Sequence, residues 1–403
     1  MVSTPKITWF LLILFSLGSM AVFVAALIFP SFRTIAYAPL RELILPPPAP
    51  INITVLYSTE KETWLDEVTK NFEATSPKID GHAIKISLEK MGSWEINAAV
   101  LDGTRKPVII SPASSLQIAA LQDSTTTKFG KSLVNPADTS SCRSVLKTPL
   151  VLVAWKERAD ALWGQEPGAS VWMDLNNALV NPQGWAAYNH PDWGYVKFGQ
   201  TDPLKSNSGF MTILLMTYSY FNKTGNLTSS DILSNSAYQK WFLDTENSVG
   251  QFAESTGPLM TNMITYGPST YDFVTVYEAT AIQQSDNAVG RYGELHVYYP
   301  PVLSWSDHPF CVLNGDWVTP QQTEAAKQFI NYLTGNSAQE LAFQKYGFRP
   351  VDNSIQLNQP GSPFEIYAAN GIKEDLSTYP NVEIPDGNVL NILRDFWSRN
   401  VNR

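Results

Sequence analysis

The chain is poor in cysteine, histidine and charge. Its 403 residues include two cysteines and four histidines, and only 16% are Asp, Glu, Lys or Arg. His82, His190, His296 and His308 are scattered, and no Cys/His spacing resembles a zinc site, so no metal is expected. The formal net charge is −9; residues 1–50 carry Lys6, Arg33, Arg41 and Glu42, a formal +2, which leaves −11 on the rest. With no Lys/Arg cluster the basic footprint of a nucleic-acid-binding surface is missing, and that class is excluded. Catalytic signatures are missing too: there is no G-x-S-x-G elbow, H-E-x-x-H, Walker loop or G-x-G-x-x-G. Ser306, Asp307 and His308 supply the residue types of a hydrolytic triad, but side chains adjacent in sequence do not form that geometry. Nothing points to a carboxylate pair for glycoside hydrolysis. Neither enzymatic activity nor a cofactor is expected. No period of 20–50 residues repeats, which excludes a solenoid.

What the chain does have is apolar residues, 44% of the total, enough for a sizeable core. Ile7 to Phe29 is one uncharged run, ITWFLLILFSLGSMAVFVAALIF. At about 1.5 Å per residue it reaches roughly 35 Å, against a hydrocarbon core of about 30 Å. An uncleaved single-pass anchor is the expectation. A cleaved signal peptide is the rival, since Ala36-Tyr37-Ala38 has the A-x-A form, although Pro39 follows directly. Either reading puts the body on the extracytoplasmic side. No Cys precedes Cys142, so lipoprotein attachment is excluded. Leu43 to Pro50, LILPPPAP, reads as a semi-rigid polyproline spacer. In an oxidising compartment Cys142 and Cys311 suggest one disulfide, the alternative being two unrelated buried thiols.

From Ile51 the chain alternates strand and helix. INITVLY at 51–57 reads as a buried parallel strand, and Trp64, Leu65, Val68 and Phe72 recur at helical spacing. His82–Leu88, Leu150–Trp155, Tyr195–Gly199, Phe273–Tyr277, His296–Tyr299 and Phe310–Leu313 are further strands. The rhythm implies mainly parallel sheets with helices on both faces, in which ligands bind where strands lead into helices. Three such loops are rich in small hydroxyl residues. They are Ser58-Thr59, then Ser111 with Ser114, then Gln200 to Phe210 with Ser206, Ser208 and Gly209 before an apolar helix. Hydroxyls and free backbone N–H groups at a helix N-terminus suit a polar ligand oxygen, although each loop alone also reads as a helix cap. A fourth segment holds Tyr271, Asp272, Tyr277 and Glu278. Its tyrosines offer ring faces and hydroxyls, and its acids either receive a cationic ligand or pair with Arg or Lys.

These segments resemble bacterial extracellular solute-binding proteins of the type 2 periplasmic-binding fold. The likeness is to the molybdate-binding type and to a branch associated with von Willebrand A domains. The matching stretches are ITVLYSTEKETWLDEVTKNFEA at 53–74, VIISPASSLQIAAL at 108–121, VKFGQTDPLKSNSGFMTILLM at 196–216, YDFVTVYEATAI at 271–282, and 297–351 ending in Gly347-Phe348-Arg349-Pro350. The resemblance implies a two-lobed α/β body behind one transmembrane helix. Residues 51–155 with 292–365 form lobe one, 156–291 lobe two, and 366–403 an extension with a final helix at 387–399. Crossover strands near Leu150–Trp155 and His296–Tyr299 form the hinge, and lobe one brings Cys142 and Cys311 within reach of each other. Carried over residue by residue, Ser58, Ser111 with Ser114, Ser208 and Tyr277 hold the ligand. Asp272 and Glu278 depart from the family pattern and disfavour a dianion. The implied function is capture of a small polar solute for an ABC-type permease or a von Willebrand A partner. A surface sensor or interaction module is the alternative, and a cell-surface hydrolase a third.

Overall fold

The computed structural model describes residues 6–29, 48–164, 166–352 and 354–401. The chain divides into two compact units, residues 1–50 with 80–83, and residues 51–79 with 84–403. In the first, α1 (Lys6–Ile28) turns large apolar side chains outward, among them Trp9, Phe10, Phe15 and Met20. The side chains of Lys6, Ile7, Thr8 and Ala26 lie outside the described residues. Among the described residues no helix is long and apolar enough to cross a membrane. Most of the Pro-rich spacer, residues 43–47, also lies outside the described residues.

The second unit opens with β1 (Ile51–Tyr57), α2 (Glu62–Ala74), β2 (Lys78–Ile79), β3 (His82–Lys90, the part from Ile84 on), α3 (Ser93–Asp102), β4 (Ile109–Ser111), α4 (Ser115–Phe129) and β5 (Cys142–Ser144). The β-branched run of β1 pairs in parallel with β3 and β4 and is buried from Val55 to Tyr57. On α2 the four residues at helical spacing are all buried, and Phe72 meets Phe329 with ring centroids 5.0 Å apart. Burying each such side chain contributes about 1.5–3 kcal/mol.

The chain continues with β6 (Leu146–Trp155), α5 (Lys156–Trp163), α6 (Val171–Leu179), β7 (Phe198–Gly199), α7 (Asn207–Tyr220), α8 (Ser229–Ser234), α9 (Ser236–Asn247), α10 (Thr256–Tyr266), β8 (Phe273–Tyr277), α11 (Glu278–Gln284), β9 (Leu295–Tyr298) and β10 (Trp305–Ser306). It returns through β11 (Pro309–Val312), α12 (Pro320–Leu333), α13 (Asn336–Tyr346), β12 (Arg349–Pro350), α14 (Pro363–Ile366) and α15 (Gly387–Asn400).

Two sheets result. One has the order β2-β3-β1-β4-β11-β5; the other is β10-β6-β8-β7, with β9 and β12 also against β6. Two sequence expectations are corrected here. The second sheet is mainly antiparallel, because β8, β9, β10 and β12 all run opposite to β6 and only β7 is parallel to its neighbour β8. Both β6 and β9 lie in that second sheet, since the apolar run of β6 is shared between β8 and β9. The chain therefore changes sheet at Val145, at Asp307-His308 and again between β11 and β12, not along Leu150–Trp155 and His296–Tyr299. Next to the first two crossings Cys142 stands opposite Cys311 in the β5–β11 pair, and the two form a disulfide.

The helix α15 is capped by Asp386, whose Oδ1 accepts from the backbone N–H of Asn388 and Val389 at 3.1 and 3.0 Å. Its Val389, Leu390, Leu393 and Trp397 join the same core cluster as α6, α7 and α9.

Candidate functional site

Both sheets send helices toward one region. From the first sheet come the turn after β1 and the start of α4, from the second the start of α7, the end of β8 and Ser306 of β10, and the 306–308 crossing runs between them. The bond that joins the halves here is an amide pair. Gln117 Nε2 on α4 donates to Asn207 Oδ1 on α7 at 2.8 Å. Asn207 Nδ2 donates in turn to the Tyr277 hydroxyl at 2.9 Å and to Ser306 Oγ at 3.0 Å. All four side chains are buried. Beside them the Trp94 backbone N–H donates to the Lys205 carbonyl at 3.3 Å, and the Trp94 ring meets Phe210 edge-on at 5.6 Å.

Below this lies a charged cluster on the first half. The one-turn helix Thr59–Lys61 follows Ser58 directly. Lys61 folds back fully buried, and its ammonium donates to Ser58 Oγ at 2.5 Å and to the Ser111 carbonyl at 3.0 Å. Glu60 Oε1 accepts from Ser58 Oγ at 2.5 Å and lies 3.3 Å from Lys61 Nζ and 3.1 Å from His308 Nδ1. Burial alone would raise the Glu60 pKa, but Lys61, His308 and Ser58 outweigh it and hold the carboxylate well below its usual range. Burial and then the positive charge of Lys61 pull His308 down. Burial, followed by the Glu60 charge, pushes the Tyr277 hydroxyl up. His308 itself holds a left-handed backbone, φ 42°, which a non-glycine residue adopts only under constraint.

The sequence-derived residues fare differently. Ser58, Ser111 and Tyr277 stand in this region, and Ser111 Oγ is buried with no hydrogen-bond partner among the described residues. Thr59 opens the short helix. Ser114 caps α4, its Oγ accepting from the Leu116 N–H at 3.2 Å. Ser206 and Ser208 turn into the second half: Ser208 Oγ lies 3.1 Å from Ser206 Oγ, 2.8 Å from Thr201 Oγ1 and 2.9 Å from Thr256 Oγ1. Gly209 serves close packing, because a Cβ there would come within 2.1 Å of the Thr201 carbonyl oxygen. Tyr271 precedes β8 while Tyr277 ends it, so roughly 20 Å of extended chain separates them. Tyr271 packs on Gly199, and its carbonyl accepts from Trp155 Nε1.

Neither acid is a free counter-charge. Glu278 receives Arg349 Nε at 2.7 Å and Nη2 at 2.8 Å, and also the Tyr299 hydroxyl. Asp272 accepts from Trp185 Nε1 at 3.0 Å and the Lys197 N–H at 2.8 Å, with Arg158 Nε 3.5 Å away. Ser306, Asp307 and His308 diverge: Ser306 bonds Asn207, Asp307 accepts from the Ser115 N–H and Ser144 Oγ, and His308 faces Glu60. Glu60, Lys61, Gln117 and Asn207 were not singled out from sequence, and His308 was weighed only as a member of a triad. Lys61 one turn after Ser58 is a signal only once both are known to be buried. A cavity of about 760 Å³ borders the crossing at Asp307 and is lined by Lys147, Trp305, Arg349, Glu374 and Tyr379 among others. Among the described residues no group of three or more His, Cys, Asp or Glu is placed to hold a metal ion.

With this architecture in view, the comparisons are consistent. Residues 53–349 match the family model described as bacterial extracellular solute-binding protein, and the chain belongs to that family. The sulfate-binding protein SubI from Mycobacterium tuberculosis H37Rv is 18% identical with a TM-score of 0.55, the match covering 84% of this chain and 96% of that one. A periplasmic thiamin binding protein is 12% identical with a TM-score of 0.61, covering 88% and 97%. Iron-bound HitA from Pseudomonas aeruginosa is 13% identical with a TM-score of 0.53, covering 86% and 99%. At these identities the likeness is one of fold, and the body has the two-lobed periplasmic-binding architecture. A comparison with curated proteins finds no match.

Proposed function

We propose that the protein captures a small polar solute between its two lobes by hinge closure and presents the closed form to the permease of an ABC transporter. A von Willebrand A domain protein is the other candidate partner. Lobe one comprises the elements of the first sheet and lobe two those of the second, with Val145 and Asp307-His308 as the hinge. Ser58, Ser111 and Tyr277 face the ligand, with Asn207 and Gln117 beside them. The observation that carries this reading is the Gln117–Asn207–Tyr277–Ser306 chain of hydrogen bonds, which ties side chains of both sheets in one buried place. Such a contact favours the closed state only while the lobes are together. The basis for reading a single-pass anchor with an extracytoplasmic body is the uncharged sequence run Ile7 to Phe29.

A hydrolase built on Ser58 and Lys61 is disfavoured by the same geometry. Lys61 Nζ donates to Ser58 Oγ and the Ser111 carbonyl beside Glu60, the reverse of an amine accepting the serine proton, although burial pulls its pKa down.

The test is an interlobe distance. Spin labels at Lys70→Cys and Lys240→Cys, both exposed positions, report the lobe separation in detergent-solubilised full chain. A panel of oxyanions, sugars, amino acids and thiamin is added. A shift from a broad to a short distance with one class supports capture by closure. One fixed distance under every addition refutes it.

A further inference from the structure

Glu60 is placed where a ligand is expected, and it is held as a ligand anion would be. Two donors converge on one oxygen, Oε1, Ser58 Oγ just after β1 and Lys61 Nζ one turn later, and His308 Nδ1 from the returning crossing lies 3.1 Å from the same oxygen without a hydrogen bond of good geometry. The side chain is buried apart from 5% of its surface. The turn that carries it also packs against α10 of the second half. Next to the cluster Ser111 Oγ and both His308 ring nitrogens lack hydrogen-bond partners of good geometry among the described residues. Donors are therefore in excess over what one carboxylate oxygen uses. A structural ion pair between Glu60 and Lys61 alone would need neither His308 nor a spare hydroxyl.

We infer that the interlobe site is a receptor for a small singly charged carboxylate or oxyanion, and that the Glu60 carboxylate is its built-in surrogate. This rests on the interlobe capture proposed above. When the lobes part, an incoming anion takes the place of Oε1 on Ser58, Lys61 and His308 and gains Ser111 Oγ, while Glu60 swings out to water. The exchange is anion for anion, so the buried charge of the cluster is unchanged, which a neutral or cationic ligand would not achieve. It also explains how an acidic residue can sit in an anion site without repelling the ligand, since the two never occupy it together.

The experiment is chemical rescue in the full chain in detergent. Glu60→Ala leaves the donors facing an empty space. Sodium formate and sodium acetate are titrated against sodium chloride and methylammonium chloride at equal ionic strength, and Tm is followed. Saturable stabilisation by formate or acetate, absent from the chloride controls and abolished by adding Lys61→Met, is the expected result. No carboxylate-specific rescue, or rescue that survives Lys61→Met, overturns the inference. If Glu60→Ala does not fold, Glu60→Gln preserves shape and removes the charge. Formate or acetate should then bind at least about tenfold tighter than to the native chain, because a neutral amide competes less well for charged donors. Equal affinity overturns the inference. The spin-label distance separates the two proposals. Closure driven by another solute and unaffected by formate leaves hinge capture standing and removes the anion site. Rescue without any change in lobe separation leaves the anion site standing and removes hinge capture.

Discussion

Asn207→Ala tests how the two halves hold each other. The substitution removes the acceptor for Gln117 Nε2, a 2.8 Å bond between buried groups of opposite lobes. Leaving the Gln117 amide without its partner costs about 1–3 kcal/mol in the closed state and nothing in the open one, where water replaces it. The closed population should therefore fall relative to the open by about five- to 150-fold. Asn207 also donates to Tyr277 and Ser306 on its own side, and those losses act in both states. A double-mutant cycle with Gln117→Ala isolates the interlobe bond. The spin-label distance distribution gives the populations, and a coupling of about 0.5–1.5 kcal/mol is expected. Additive effects, within about 0.3 kcal/mol, would mean that the amide pair carries nothing between the lobes, and the reasoning from contact to closure would fail.

Three other expectations can be checked by unfolding. The Cys142–Cys311 bridge closes a sequence separation of 169; on the chain-entropy model reduction should cost about 4–5 kcal/mol in a urea titration, and two titratable thiols in the denatured, unreduced protein would refute the bridge. Glu246 is buried, and burial pushes its carboxyl from 4.5 up to about 8 against the donors Trp397 Nε1 and Gln200 Nε2. Between those values the native state holds a proton that the unfolded state has lost, so stability should fall as pH rises through the window, by up to about 1.4 kcal/mol per pH unit; Glu246→Gln should flatten the profile, and an unchanged slope would exclude Glu246 as its source. Arg349→Met strands the buried Glu278 carboxylate and should cost about 3–5 kcal/mol, with Glu278→Gln in the same chain recovering most of it; a double variant no more stable than the single one would refute the pairing argument.

The first half of the fold was readable because local rules agree there. Apolar β1 with its helical successor α2 follows from periodicity alone, as does Phe273–Tyr277 as β8 in the second half. Sheet membership of β6 and β9 was not readable, since a buried apolar strand carries no mark of its partners or direction. The site divides the same way. Ser58, Ser111 and Tyr277 were legible as small polar or aromatic residues at strand ends. Ser206 and Ser208 have the same local signature, yet Thr201 and Thr256 bind their hydroxyls, and no local pattern shows that. Glu60 and Lys61 read as ordinary first-turn charges of an exposed helix; only the packing of the 306–308 crossing and the Ser111 carbonyl over them turns them inward.

The position of the disulfide has a mechanical meaning. Cys142 precedes one sheet crossing, Val145, by three residues, and Cys311 follows another, His308, by three. The bridge thus joins two of the strands that lead into sheet crossings, on the first-sheet side of both. On the proposed hinge closure, a joined pair bends as a single leaf, whereas two loose strands could also twist and shear past each other. Under that proposal oxidation would narrow the ways in which the lobes part, and a reduced protein would keep its closed contacts with fewer restraints on the opening.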